Sequence, residues 1–125
     1  MLNNIMLVGR LVQEPEVVET ETGKQRTQVT VAVPRSYKNA DGIYETDFID
    51  CVLWDGLAVN ASEYCHKGDT VGIRGRLQTN SYETESGEKR KSTLIVAEKL
   101  TFLSSNREIL EKEGVNKTKE EDLEV

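Results

Sequence analysis

The sequence predicts an all-β fold, a five-stranded antiparallel barrel with one short helix between its third and fourth strands. Five segments in which apolar residues recur with a period of two predict the strands, and one segment in which the period becomes helical predicts the helix. The chain has 125 residues, which suits a single domain with an appendage. We therefore expect one domain over residues 1–104 and a tail over residues 105–125.

The first two strands are expected at residues 4–12 and 25–33. In the second segment Val29, Val31 and Val33 alternate with polar or small residues, so one face of the strand is apolar. A glycine-containing polar turn precedes this segment, and a polar stretch with an Asp-Gly pair follows it. The pattern therefore indicates an antiparallel connection to a third strand.

The third strand, over residues 44–54, has two distinguishable faces. One face carries Ile49, Cys51 and Leu53, and the other carries Phe48, Asp50, Val52 and Trp54. Because one face of each barrel strand must supply the core, the purely apolar face is the better core candidate. The two aromatic side chains of the other face are then left for the surface.

One helix and two further strands complete the domain. Leu57, Ala61 and Tyr64 fall at helical spacing, and a Lys-Gly pair supplies a C-terminal stop. The last strands are expected at residues 70–82 and 91–103. This order of elements is that of an OB-fold Greek-key barrel, which binds oligonucleotides on the face of its second and third strands. Fold alone does not decide function, so the residues on that face must carry the argument.

The net charge of −6 argues at first against a nucleic-acid partner, because phosphate binding needs a basic surface. The acidic excess is unevenly distributed, however. Residues 1–105 carry 12 Lys and Arg against 15 Asp and Glu, whereas residues 106–125 carry 4 against 7. The body is therefore nearly balanced and can still present one basic face.

Several classes of protein are disfavoured by what the sequence lacks. Two cysteines and one histidine do not supply the ligands of a structural metal site, and we expect neither a metal nor a cofactor. No apolar run approaches the roughly 18 residues that span a bilayer, so no membrane association is expected. The N-terminus enters a strand without the features of a signal peptide, which predicts a cytoplasmic protein with reduced thiols.

No set of residues points to catalysis. The chain has no Ser-His-Asp or Cys-His arrangement and no phosphate-binding Gly-rich loop. A carboxylate hydrolase using Asp47 and Asp50 is an alternative only because acids are plentiful. Residues three apart on a strand point to opposite faces, so these two carboxylates do not converge. We expect a protein that is not an enzyme.

Four segments, taken together, carry a family resemblance: residues 1–11, 47–54, 64–69 and 75–83. Over about residues 1–103 the chain resembles the bacterial single-stranded DNA-binding protein family. The resemblance implies an OB fold, usually a homotetramer, that coats single-stranded DNA without strong sequence preference. It also implies a role in DNA replication, recombination or repair, and association with the nucleoid.

Four aromatic residues match the family's base-stacking positions: Tyr37, Phe48, Trp54 and Tyr82. Stacking suits a binder without sequence preference, because every base has a π-face. A subunit contact is the alternative for the two tyrosines, which are expected near loops. Among the other aromatic residues, Tyr64 and Phe102 are expected in the core, and the place of Tyr44 stays open.

Seven basic residues flank these aromatics and are candidates for phosphate neutralisation: Arg35, Lys38, Arg74, Arg76, Lys89, Arg90 and Lys91. The alternative for each is an ordinary solvated surface. Asp50 departs from this pattern, because it brings a negative charge to the aromatic face. It either weakens binding locally or pairs with Arg35.

The C-terminal tail is acidic, and residues 114–125 are expected to be disordered. Family members carry a flexible linker and an acidic tip with which replication and repair enzymes dock. The residues that would serve here are Glu120, Glu121, Asp122, Leu123 and Val125, with an ordinary solvated acidic end as the alternative. A second hypothesis for the whole protein is an OB-fold replication adaptor that mainly binds other proteins.

Overall fold

The computed structural model describes residues 1–105, which form six strands and one helix. In chain order these are β1 (Ile5–Leu11), β2 (Val18–Glu19), β3 (Gln25–Lys38), β4 (Tyr44–Trp54), α1 (Asp55–Tyr64), β5 (Thr70–Glu83) and β6 (Lys89–Ser104). The five long strands and the helix are the elements that the sequence predicts, and β4 has the predicted bounds. The two-residue strand β2 is an addition, so the helix lies between β4 and β5. The predicted disordered segment and the candidate docking residues of the tail lie outside the described residues.

The strands close into a barrel. They follow the order β1-β5-β6-β4-β3-β2, and a further pairing of β1 with β3 closes the sheet on itself. All pairings are antiparallel except that of β4 with β6, which is parallel and joins Cys51 to Ile95 and Val52 to Val96. The prediction of an all-β, five-stranded OB-type barrel is confirmed. The parallel pairing of β4 with β6 could not be predicted from the alternation of apolar and polar residues.

The core is built from the inward residues of every long strand and of the helix. Its buried members are Leu11, Val29, Val31, Cys51, Leu53, Ala58, Ala61, Cys65, Val71, Ile73, Ile95 and Ala97. The helix α1 contributes Ala58 and Ala61 to this cluster, and Leu57 packs against it. Both cysteines are free thiols, and burial raises the pKa of Cys51 to about 11 and that of Cys65 above its ordinary value.

Two glycines allow strands to approach each other closely. A side-chain carbon on Gly75 would overlap the carbonyl of Val96, and one on Gly9 would overlap the carbonyl of Ala32. Gly75 lies at a register shift between β5 and β6, where the sheet bends. The curvature of the barrel therefore depends on the absence of a side chain at these two positions.

Two pairs of strands extend beyond the barrel as exposed hairpins. We call residues 34–46 the β3–β4 ribbon and residues 77–94 the β5–β6 ribbon. Their turns contain Gly42 and Gly87, which have positive φ angles of 77° and 85°. Three of these strands, β3, β5 and β6, are longer than predicted, because ladder partners hold polar residues in extended conformation whether or not they alternate with apolar ones.

The sequence-based placement of two aromatic residues in the core is wrong. Tyr64 is 68% exposed and Phe102 is 43% exposed. The helix turns Ala58 and Ala61 toward the core, and Cys65, which follows the helix, is also buried there. Tyr64 is left at the edge of the apolar stripe. Phe102 lies where β5 and β6 shift register near Val71, so the strict alternation that the prediction assumed does not hold there. No helix among residues 1–105 is long and apolar enough to cross a membrane.

Candidate nucleic-acid interface

The outward face of β4 carries two of the predicted stacking residues. Phe48 is 66% exposed and Trp54 is 37% exposed, whereas Cys51 and Leu53 of the other face are buried. Phe48 lies opposite Ala32 of β3, whose small side chain leaves the phenyl ring uncovered. The expected division of this strand into a core face and an aromatic surface face is therefore present.

Trp54 is held at the corner between β4 and α1. It is the last residue of β4, and the chain turns at Asp55, which has a positive φ of 51°. The Asp55 carboxylate accepts a hydrogen bond from the backbone N–H of Gln25 at 3.3 Å, which ties the corner to β3. Arg26, directly opposite Trp54 in the β3–β4 register, lies with its guanidinium carbon 5.8 Å from the centre of the indole ring. The indole is thus supported from one side by a cation.

Between Phe48 and Trp54 the outward face of β4 carries one polar residue, Asp50, and one buried apolar residue, Val52. The hydroxyl of Thr30 donates to the Asp50 carboxylate at 2.6 Å, and the two residues are directly opposite in register. The suggested pairing of Asp50 with Arg35 is therefore wrong. Val52 is buried although it is on the outward side of β4, because β6 lies alongside β4 at this point.

Arg35, on the β3–β4 ribbon, is bound to two carboxylates of β4. Its guanidinium contacts Asp47 at 2.8 Å and Glu45 at 2.7 Å. These contacts raise the pKa of Arg35 above its ordinary value, and the hydrogen bonds from Arg35 hold the pKa of Asp47 below its ordinary value. Glu45 also accepts a hydrogen bond from the side-chain amide of Asn39 at 3.1 Å. The group of four side chains ties the two strands of the ribbon together.

The two predicted stacking tyrosines are on different ribbons. Tyr37 is exposed near the end of β3, and Tyr82 is exposed near the end of β5, opposite Arg90 of β6. Both are strand residues rather than loop residues. The four aromatics therefore divide into a pair on β4 and one on each ribbon.

The predicted basic residues are not all close to the aromatic face. Arg74 lines a cavity of about 170 Å³ with residues of β1 and β6, including Met6 and Val8, on a part of the barrel that does not include β3 or β4. Lys89 and Lys91 are exposed on the β5–β6 ribbon beside Arg90, whose guanidinium contacts Glu88 at 2.9 Å.

Two further predicted cations, Arg76 and Lys38, each lie close to another side chain. Arg76 lies 3.9 Å from Glu98. Lys38 lies opposite Tyr44, with its ammonium nitrogen 5.6 Å from the centre of the phenol ring. Of the seven predicted cations, four have no ion pair among residues 1–105: Lys38, Arg74, Lys89 and Lys91.

Sequence analysis did not select Arg26 and Tyr44. Each forms a cation–aromatic pair with a residue directly opposite it across the β3–β4 ladder. The register of that ladder, once known, would have identified both. Among residues 1–105 there is no group of three or more His, Cys, Asp or Glu side chains suited to hold a metal ion.

A closed five-stranded barrel with a short helix, and with exposed aromatic and cationic side chains on one sheet face, defines the OB-fold class of oligonucleotide- and oligosaccharide-binding domains. Within that class, residues 2–103 match the model of the single-strand binding protein family. The chain belongs to this family.

Individual relatives agree with this assignment. Single-stranded DNA-binding protein B of Bacillus subtilis (strain 168) is 45% identical over 103 residues, which cover 82% of this chain and 91% of that protein. Single-stranded DNA-binding protein 1 of Lactococcus lactis subsp. lactis (strain IL1403) is 42% identical over 86% of this chain and 71% of its own length. The single-stranded DNA-binding protein of Lactiplantibacillus plantarum is also 42% identical, over 86% of this chain and 54% of its own length. The resemblance stated from the sequence is confirmed.

Proposed function

We propose that the protein binds and coats single-stranded DNA without strong sequence preference, and that it does so without catalysis. The observation that carries this proposal is the exposed pair Phe48 and Trp54 on a sheet face whose reverse side is core. Exposed aromatic side chains contribute little to folding stability, but each can stack a base. Such stacking contributes about 1–3 kcal/mol to binding, as measured by alanine substitution. Membership of the family, whose relatives are named single-stranded DNA-binding proteins, supports the same conclusion.

In this proposal the two ribbons extend the binding surface. Tyr37 and Tyr82 would stack further bases, and exposed cations such as Lys38, Lys89 and Lys91 would neutralise phosphates. Arg76 and Arg90 can join them where phosphate competes with their carboxylate partners. Arg35 contributes mainly by holding the ribbon in shape, since its guanidinium already binds two carboxylates. Arg74 is on another part of the barrel and is the weakest of the seven candidates.

The test is a titration of the single tryptophan's fluorescence with oligothymidine at low and high salt. Strong quenching that weakens as salt rises is expected, because Trp54 stacks on bases and bound phosphates release counterions. Absence of quenching, with circular dichroism showing an intact β fold, would favour the replication adaptor instead. So would a dissociation constant weaker than about 10⁻⁵ M at moderate salt, since that is the level of bare electrostatic association.

We also propose that the protein is a homotetramer. Met6 and Val8 on β1 and Leu103 on β6 are exposed apolar side chains, and such surface favours association between copies. Several linked binding sites would also strengthen binding to a long strand. Sedimentation equilibrium should give a species of four chains, and Val8→Glu should shift it toward smaller species. A stable monomer at micromolar concentration would contradict the proposal.

The proposed setting is DNA replication, recombination or repair, at the nucleoid in the cytoplasm, as suits a coating protein for single strands. Glu120, Glu121, Asp122, Leu123 and Val125, outside the described residues, are proposed to dock replication and repair proteins. A pull-down comparing the full chain with a chain ending at residue 105 tests this docking. Loss of replication proteins from the shortened chain is expected, and an unchanged set would contradict it.

A further inference from the structure

Tyr44 continues the line of aromatic side chains on β4. It is the first residue of the strand and is 57% exposed. Because side chains alternate along a strand, the even-numbered residues Tyr44, Phe48 and Trp54 share the outward face. Tyr44 is not one of the four positions matched to the family's stacking aromatics. Its exposed ring has no role in the core.

Lys38 gives the Tyr44 ring a cationic neighbour. The two residues are directly opposite in the β3–β4 register, and the ammonium nitrogen is 5.6 Å from the ring centre. Lys38 has no carboxylate partner within 4 Å among residues 1–105. The nearby acid Glu45 is the adjacent strand residue, so it points to the other face, where it binds Arg35 and Asn39. The charge of Lys38 is therefore available to a ligand on the aromatic face.

The paired β3 residues between Phe48 and Tyr44 have small side chains. Phe48 follows Tyr44 by four positions along β4, which is about 13 Å at the rise of an extended strand. The β3 residues paired along this interval are Ala32, opposite Phe48, and Pro34, opposite Thr46, and the register shifts between Pro34 and Lys38. Neither Ala32 nor Pro34 has a long side chain that could cover the outward face of β4 between Tyr44 and Phe48. A single strand stacked on Phe48 can thus continue toward the end of the β3–β4 ribbon without leaving the sheet.

The opposite end of the same face has the same arrangement. Arg26 of β3 lies over Trp54, as Lys38 of β3 lies over Tyr44. A ring that stacks a base on its free side, beside a cation that can reach the adjoining phosphate, combines the two interactions that sequence-tolerant binding to single strands requires. The repetition of this pair at both ends of the face favours one continuous binding track.

We propose that Tyr44 and Lys38 form an additional stacking position for single-stranded DNA at the end of the β3–β4 ribbon. The phenol ring takes one more base of a strand that already crosses Trp54 and Phe48, and the Lys38 ammonium neutralises its phosphate. The inference rests on the proposed function and deepens it, since it sets how far the bound strand extends. A pair that only stabilises the ribbon is the competing explanation.

The experiment compares oligothymidines of about 4 to about 16 nucleotides, the range of site sizes for one OB fold. Wild-type protein, Tyr44→Ala, Tyr44→Phe and Lys38→Gln are titrated by Trp54 fluorescence. Tyr44→Ala should weaken binding about fivefold or more for the longer oligomers and leave binding of the shortest ones unchanged. The fivefold figure is the lower end of the stacking range, converted at tenfold per 1.4 kcal/mol. Tyr44→Phe should match wild type, because it keeps the ring. Lys38→Gln should reduce the slope of log affinity against log salt by about 0.7.

The controls separate the possible failures. Tyr64→Ala removes another exposed tyrosine, which is on α1 away from this face, and should bind all lengths like wild type. Equal loss at every length in Tyr44→Ala, accompanied by a lower unfolding temperature, would assign the pair to ribbon stability and overturn the inference. Unchanged affinity at every length would also overturn it. If wild-type protein itself fails to bind, the proposed function falls, and this result is distinct from the other two.

Discussion

The barrel and its ribbons are made from the same strands but differ in what they do with their side chains. In β3, Val29 and Val31 are completely buried, whereas Tyr37, six residues beyond Val31, is 63% exposed. β5 changes in the same way, from Val71 and Ile73 in the core to Tyr82 on the surface. One half of each strand is fixed by packing, and the other half is held by its ladder partner and by local pairs such as Arg35 with Asp47.

This difference teaches that stability and binding are located in separate parts of continuous strands. Burial of apolar side chains supplies most of the free energy of folding, so substitutions in the barrel should change the free energy of unfolding. Exposed aromatic residues contribute little to that energy but offer surfaces to a ligand. Substitutions on the outward face and the ribbons should therefore change affinity. The predictions below test this separation, beginning with the largest effect.

Leu53→Ala should lower the free energy of unfolding by about 2–5 kcal/mol, because it leaves a cavity in the core. Leu53 is adjacent to Trp54 on β4 but points to the other face. Urea unfolding followed by circular dichroism measures the change. A loss below about 1 kcal/mol, the level of a surface substitution, would show that this face of β4 is not the core.

Gly75→Ala should lower the free energy of unfolding by about 1–3 kcal/mol, since the added methyl group overlaps the carbonyl of Val96. Gly56→Ala is the matched control, because a side-chain carbon there meets nothing within 4 Å. Gly56 lies in α1, so its replacement by alanine should be neutral or stabilising. Equal stability of the two variants in the same urea titration would contradict the close approach of β5 and β6.

Trp54→Ala should weaken binding to oligothymidine by about 1–3 kcal/mol with a much smaller change in stability than Leu53→Ala. The lost indole removes a stacking surface and not a core contact. Fluorescence anisotropy of a labelled oligonucleotide measures the affinity, because the variant lacks the intrinsic probe. Wild-type affinity in a folded variant would remove Trp54 from the interface.

Asp47→Asn should produce the smallest effect, a slight loss of stability that depends on pH. Hydrogen bonds from Arg35 lower the pKa of Asp47 in the folded protein, so its contribution is fully present above its ordinary value of 3.8 and is lost as the pH falls through the lower folded value. The difference between wild type and variant should be measurable at about pH 7 and should shrink as the pH falls below 3.8 and the carboxyl group of the folded protein becomes protonated. Asp41→Asn, which removes a carboxylate without an ion pair among residues 1–105, serves as the control. A difference for Asp47→Asn that is constant across this range would contradict the role of the ion pair.

The sequence was informative where one strand has two chemically distinct faces. The alternation of side chains in β4 predicted its bounds and placed Leu53 and Trp54 on opposite faces, as the structure has them. The prediction was wrong for Tyr64 and Phe102, because the edge of a helix and a register shift both break the assumed period.

Pairing across the sheet was not predictable from the sequence. That Arg26 faces Trp54, and that Lys38 faces Tyr44 after the register shift beyond Pro34, depends on how two distant segments align. Local composition contains no information on that alignment. For the same reason, the two carboxylate partners of Arg35 were missed, although all three residues were visible in the sequence.

The two buried thiols determine how this protein can be labelled. Cys51 and Cys65 are almost inaccessible, and their raised pKa values keep them protonated at neutral pH, so neither presents the thiolate that maleimide dyes attack. A cysteine introduced on the surface, for example by Ser81→Cys on the β5–β6 ribbon, would then be the preferred site of reaction. Single-molecule fluorescence could follow that ribbon while the native cysteines stay in place, which spares the core from the cavity or strain that their replacement would introduce.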